Sequence, residues 1–151
     1  MHSYSAAVHI KTTSNLDIIN ISPQIEDLVA RHEVLTGFLL LFIAGSTAAL
    51  TTIEYEPGAV HDLKQAIERI APQGLPYEHD RRWGDGNGYA HVRAALLGPS
   101  LAIPLKEGRL QLGTWQQIVL CDFDNRPRLR EVIVQLQGEA EPVTRAFKHG
   151  E

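Results

Sequence analysis

The sequence predicts an α+β fold, an antiparallel β-sheet or sandwich covered by about three helices. Three observations predict it. Two helical hydrophobic patterns lie in the first half, a small-residue helix follows a Gly-rich loop in the middle, and beyond Gly98-Pro99 the period changes to short apolar runs separated by turns.

Residues 5–13 and 36–44 are apolar and β-branched enough for strands. Between them Asn20-Ile21-Ser22-Pro23 signals a helix start, with Ser22 as N-cap and Pro23 at the first helical position, where its missing N–H is harmless. Ile25, Leu28, Val29 and His32 then recur at i, i+3, i+4 and i+7, one apolar stripe for the core. Leu39 to Ile43 is apolar on both faces and bracketed by Gly37 and Gly45, so it reads as a strand buried on two sides. A second helix spans 58–70, marked by Val60, Leu63, Ile67 and Ile70 and bounded by Pro57 and Pro72. The third enters at about Gly88, sets Ala90, Ala94 and Leu97 on one side, and stops at Gly98-Pro99. Strands follow at 101–105, 110–112, 117–123 and 129–137, with turns at Lys106-Glu107-Gly108 and Asp124-Asn125-Arg126-Pro127. Residues 1–138 read as a single domain, and 139–151 as a polar tail that frays.

Of 151 residues, 44% are apolar and 21% charged, far from the disordered class. That length is enough to bury roughly 70% of the unfolded surface in one core. Fourteen basic against eighteen acidic residues leave a net charge of -4, so no general field draws nucleic acid or an anionic membrane. A phosphate ligand therefore needs a local basic or dipolar site. Cys121 is the sole cysteine, which excludes a disulfide within the chain, and its apolar run 118–121 marks a buried, inert thiol. The first residues lack a signal-peptide pattern and the apolar run 38–44 is far too short to cross a bilayer, so a cytoplasmic protein is expected.

Chemistry concentrates between His79 and Ser100. Two histidines, two aspartates, three arginines and one asparagine fall within fifteen residues, a poor composition for a core and a good one for binding an anion or moving protons. If Asn87 caps the third helix, the backbone N–H groups of Gly88, Tyr89 and Ala90 face a ligand, with His91 one turn on and Arg81, Arg82 and Arg93 adding positive charge. The alternative is a plain cap, a histidine bonded to backbone and solvated arginines. His79, Asp80 and Asp85 read as proton carriers with orienting carboxylates, or, with His91, as metal ligands of no standard spacing. Ser46 and Thr47 follow a buried strand and would orient a substrate; Glu54 and Glu56 offer carboxylates, or else an acidic helix start. Trp115, in the turn Gly113-Thr114-Trp115-Gln116, reads as a core side chain.

Taken together, Gly45 to Glu54, His79-Asp80, Asp85 to Ser100 and Leu112 to Gln117 resemble the YjbQ family over nearly the whole chain. The most specific part is A-H-V-R-A-A-L-L-G-P-S followed by L-G-T-W-Q, similar to the family's A-H-L-K-A-S-L-L-G-P-S and L-G-T-W-Q in order and spacing. Arg126-Pro127-Arg128 is similar to the family's P-R-x-R turn. The resemblance implies a YjbQ-like α+β fold dominated by an antiparallel β-sandwich, assembled as a homotrimer with polar pockets near subunit boundaries. It also implies the activity of the family's label, secondary thiamine-phosphate synthase, in which a pyrimidine diphosphate joins a thiazole phosphate and pyrophosphate leaves. On that reading His91 is general acid or ligand and His79, oriented by Asp80 or Asp85, is its partner. Asn87, Gly88 and Arg93 hold phosphate, and Ser46, Thr47 and Glu54 complete the substrate side. One departure bears on mechanism. Many members read H-T-T-A-A-L where this chain has Gly45-Ser46-Thr47-Ala48-Ala49-Leu50, so a three-histidine set around zinc, magnesium or phosphate keeps only His79 and His91. Residues 51–58 also depart from the commoner T-I-N-E pattern. A non-catalytic protein binding a phosphorylated ligand or metal, and a metal-dependent hydrolase, are the alternatives.

Overall fold

The computed structural model, which describes residues 1–14 and 16–140, runs β1 (His2–Lys11), β2 (Asp17–Asn20), α1 (Ser22–Ala30), β3 (Thr36–Ile43), β4 (Ala48–Glu54), α2 (Pro57–Ile70), α3 (Glu78–Trp83), α4 (Gly88–Leu97), β5 (Ser100–Lys106), β6 (Arg109–Leu110), β7 (Gln116–Asp122) and β8 (Leu129–Glu139). The mixed α+β architecture is the expected one. All strand pairs are antiparallel, in a five-stranded sheet of order β1-β8-β3-β5-β6 and a three-stranded sheet of order β2-β7-β4. Strand β8 reaches Glu139, one residue into the expected tail; the remainder of that tail, beyond Ala140, lies outside the described residues.

Alternation along β7 sets the layers. Ile118 and Leu120 point into a core shared with Leu39, Leu41 and Ile43 of β3 and Val132, Val134 and Leu136 of β8, so the two sheets face one another. Val119 and Cys121 point the other way, beneath Ile67 of α2 and Tyr89, Ala90 and Ala94 of α4. Helix α1 adds Ile25 and Val29 to the first core. The small side chains of α4 let it lie close on the three-stranded sheet, which brings its first turn to the end of β7. Burial pushes the Cys121 thiol up to about 12, so it stays protonated and inert.

Several local expectations are corrected. The strand buried on both faces is β7 rather than β3, whose Phe38, Leu40 and Phe42 are exposed because the helices cover the other sheet. Four helices form, and β2, β4 and α3 appear in stretches that carried no strand or helix assignment. Strand 110–112 shrinks to Arg109–Leu110. Ser22 lies inside α1, and instead of capping it accepts a 2.7 Å hydrogen bond from the Ile118 backbone N–H, tying helix to sheet. Trp115 is 72% exposed, in the turn before β7, rather than in the core.

Leu120 is fully buried between the sheets. Leu120→Ala is expected to lower unfolding free energy by about 2–5 kcal/mol, read from urea denaturation with an unchanged slope.

Candidate functional site

Two carboxylates at the end of β7 organise the site. Asp122 and Asp124 are buried and two residues apart, so both point to one side of the extended chain. Asp122 receives a bidentate pair from Arg130, 2.7 Å from Nε and 3.0 Å from Nη2, and a 2.7 Å bond from the Thr12 hydroxyl. Asp124 accepts from Thr47 Oγ1 at 3.0 Å, Asn87 Nδ2 at 3.2 Å, the Asn125 backbone N–H at 2.8 Å and Arg128 Nε at 2.8 Å. Thr47 closes the circuit, since its hydroxyl accepts from Arg130 Nη2 at 2.7 Å while donating to Asp124. Burial pushes the Asp124 carboxyl up, but donors from Asn87, Arg128, Asn125 and Thr47 outweigh it and hold the group at about 2.

That network seats the start of α4. Because Asn87 gives its amide N–H to Asp124, its Oδ1 faces away and is left buried without a partner. Asn87 therefore does not cap the helix. The cap is Asp80, whose Oδ1 accepts from the Gly88 N–H at 2.8 Å. A Cβ at position 88 would lie 2.5 Å from Tyr77 Cβ, so only glycine permits this approach of α4 to the segment before α3. Of the expected cradle of backbone N–H groups, that of Gly88 is thus taken by a carboxylate of the protein itself and that of Ala90 by the Asn87 carbonyl, so neither is free for a ligand.

One turn into α4, His91 meets His79 of α3, with ring centroids 4.3 Å apart. Burial, then the neighbouring His79, pushes the His91 pKa down, against the opposing pull of Asp124, Asp85 and Asp80. His79 Nδ1 is buried without a hydrogen bond, 3.5 Å from Asp80 Oδ1. At the head of α4 a cleft of about 290 Å³ is lined by Asp85, Asn87, Asn125, Arg126 and Arg128, with neither histidine in its lining. Arg128 is ion-paired to Asp124, whereas Arg126 is exposed and has no acidic partner among the described residues. His91 itself lines a separate pocket of about 230 Å³ with Gly45, Ser46, Ala48, Ala94, Ala95 and Pro99.

The fold therefore gathers His79, His91, Asp80, Asp85, Asn87, Thr47 and, at the rim, Ser46. It does not gather Glu54 or Arg93. Glu54 pairs with Gln116 at the far end of β4, six residues or about 20 Å from Ala48. Arg93 is 2% exposed on the opposite side of α4, donating 2.8 Å to the Ala71 carbonyl, paired with Glu68 and stacked on Tyr89. Glu56 caps α2 by accepting from the Ala59 and Gly58 N–H groups, which lowers its pKa. Sequence reasoning missed Asp122, Asp124, Arg128 and Arg130. The signal was available, because an i, i+2 pair of carboxylates opposite an i, i+2 pair of arginines marks two extended segments with complementary charged faces.

A resident divalent metal does not fit. Among the described residues no three His, Cys, Asp or Glu side chains are arranged to hold one. A Cβ at Gly45 would stand 3.1 Å from Arg130 Nη1, so a guanidinium cation borders the position where a third ligand would be needed. A roomier cleft of about 600 Å³ between α1 and the β6–β7 segment holds Glu26, Arg109 and Gln116 but no histidine.

A family model described as UPF0047 protein YjbQ-like matches residues 6–139. The chain belongs to the YjbQ family. A UPF0047 protein of Archaeoglobus fulgidus is 40% identical over 126 residues, covering 83% of this chain and 95% of that one. UPF0047 protein YugU of Bacillus subtilis is 33% identical over 132 residues, 87% and 97% of the two chains. A crystal structure of a YbjQ-like protein of unknown function from Sulfolobus solfataricus superposes with a TM-score of 0.82 at 30% identity, covering 91% of this chain and all of that one (100%). A hypothetical protein from Aeropyrum pernix gives 0.84 at 30% identity, with 90% and 99% covered. These relatives fix the YjbQ fold and carry no assigned activity.

Two pH dependences follow. Asp124 is held at about 2 against 3.8 when unfolded, so its contribution to stability is present above pH 3.8 and is lost as the pH falls towards 2. Asp124→Asn is expected to remove that acid dependence and to destabilise the fold by about 3–5 kcal/mol, measured by urea denaturation between pH 2 and 7. His91 sits below its ordinary 6.5, so the unfolded chain takes up a proton that the folded chain refuses. Stability is full above 6.5 and declines below it, and His91→Gln is expected to flatten the dependence between pH 5 and 7.

Proposed function

We propose that the protein is a cytoplasmic enzyme acting on a small phosphorylated or diphosphorylated metabolite, bound where the arginine-lined cleft meets the His79–His91 pair. One observation carries the reading: Arg126, without an acidic partner among the described residues, and Arg128 line one cleft with Asn87, one helical turn before a histidine whose pKa is held below its ordinary value. Guanidinium groups suit phosphate oxygens in geometry and charge. His91, neutral at pH 7, removes a proton from a bound group or donates its N–H to a departing phosphate.

The reaction named by the family resemblance matches these requirements. The thiazole nitrogen would use its lone pair to bond the pyrimidine methylene carbon, the carbon–oxygen bond would break, and its electron pair would leave on pyrophosphate. The protein's contribution would be stabilisation of the leaving anion by Arg126, Arg128 and His91. Purified protein given the pyrimidine diphosphate and thiazole phosphate is expected to form thiamine phosphate, and His91→Ala to lower the rate by about 10²- to 10⁴-fold. Equal product from the two proteins removes this site from the mechanism. A purely binding role is the second reading, favoured by the absence of a side chain at Gly45; a ligand that raises the melting temperature and is never consumed would select it.

We also propose that the chain assembles as a homotrimer through the outer face of the five-stranded sheet. Phe38, Leu40 and Phe42 are exposed there, and across the register stand Pro104, Ala102 and Ile133. An apolar strip of this kind marks an interaction surface. Light scattering is expected to give three times the chain mass for the native protein and the monomer mass for Leu40→Glu; a native monomer at micromolar concentration overturns this assembly.

A further inference from the structure

The cleft between α1 and the β6–β7 segment plays no part in the histidine site, yet the L-G-T-W-Q run supplies one of its walls. Gln116 staples that wall in place. Its side-chain Oε1 accepts from the Gly113 N–H at 3.0 Å, its backbone N–H donates to the Gly113 carbonyl at 3.0 Å, and its Nε2 donates to Thr52 Oγ1 of β4 at 2.9 Å. The other wall is one face of α1, where Glu26, Val29 and Ala30 stand at i, i+3 and i+4. Val29 belongs to the core between the sheets, and Leu110 and Leu112 pack against it, so the apolar part of the lining is fixed by the fold.

Two opposite charges share this cleft without meeting. Among the described residues neither Glu26 nor Arg109 makes an ion pair, with one another or with any other side chain. A carboxylate suits an ammonium group and a guanidinium suits a carboxylate. Because the two do not bond each other, a ligand that engages both must hold its own charges apart. Gln117 adds a neutral donor, since its Oε1 accepts from Asn20 Nδ2 at 3.5 Å and its Nε2 is left over. The volume, about 600 Å³, lies within the range of about 300–1,000 Å³ that small-molecule sites occupy.

We propose that this cleft is a second binding site, for apolar dipeptides or tripeptides with free ends. The ligand's ammonium group lies at Glu26, its carboxylate at Arg109, its aliphatic side chains on Val29, Leu110 and Leu112, and a peptide carbonyl accepts from Gln117 Nε2. The site is separate from the arginine cleft and does not rest on the anion reading.

Calorimetry on the full chain with dileucine tests the inference, using N-acetyl-dileucine and dileucine amide as probes that each lack one charge. The native protein is expected to bind dileucine and to bind each blocked probe roughly five- to tenfold more weakly. Glu26→Gln is expected to reduce dileucine to the level of N-acetyl-dileucine while leaving N-acetyl-dileucine unchanged, and Arg109→Gln to do the same with respect to dileucine amide. Both positions are exposed, so neither substitution disturbs the core. Methyl resonances of Val29, Leu110 and Leu112 should shift with dileucine in the native protein, which places the ligand without any variant. No binding of dileucine, equal affinities for the three probes, or a loss confined to one of the two substitutions overturns the proposal.

Discussion

The buried pairing of Asp122 and Asp124 with Arg130, bridged by the Thr47 hydroxyl, is the constraint on which the rest of the site depends. Desolvating two carboxylates is expensive, and the interior repays it only where nearly every lone pair finds a donor. Here the donors come from Thr12 just past β1, Thr47 before β4, Asn87 at the head of α4, and Arg128 and Arg130 at the start of β8. Removing Asp122 would leave the buried Arg130 guanidinium without its bidentate partner, and removing Asp124 would strand the Thr47, Asn87 and Arg128 donors, so the network fixes where those segments meet. Apolar packing alone leaves that meeting loosely specified, because the side chains of α4 facing the sheet are mostly small.

The way in which each group is satisfied decides what remains for chemistry. Asp80 uses up the Gly88 N–H, so a negative ligand is not met by a bare helix start. Asp124 takes the Asn87 amide N–H and part of Arg128, so what faces the cleft is the outer guanidinium of Arg128 and the unpaired Arg126. Burial, then the neighbouring His79, disfavours the charged form of His91, which keeps it neutral where metabolism runs. Gly45 leaves room beside them, and Arg130 ensures that the room is not a cation site.

Much of the fold was legible because the physics is local. The helices at 58–70 and 88–97 and the strand at 36–43 announce themselves through periodicity and Gly or Pro punctuation. Strands β2 and β4 did not, since Asp17–Asn20 is short and Ala48–Glu54 mixes small, hydroxyl and acidic residues; their strand state comes from pairing with β7. Helix α3 is six residues of charged and aromatic side chains ended by Gly84 in the left-handed region, with no stripe to read. The histidines and Asn87 were visible as residue types. The partners that orient Asn87 were not, because Asp124 is 37 positions away and Thr47 lies 77 from that carboxylate. The helix cap was equally out of reach, because the carboxylate that accepts from the Gly88 N–H is Asp80, eight residues earlier, while the adjacent Asn87 turns its amide to Asp124.

The central claim is that the arginine cleft and the histidine pair form a single site positioned by the buried Asp124. Imidazole ¹⁵N spectra recorded during titration with inorganic phosphate at pH 7 test it most directly. The account predicts that phosphate shifts the resonances of both His79 and His91 in the native protein and loses that effect in Arg128→Gln. Histidine signals that ignore phosphate, or that respond equally in the two proteins, would contradict it.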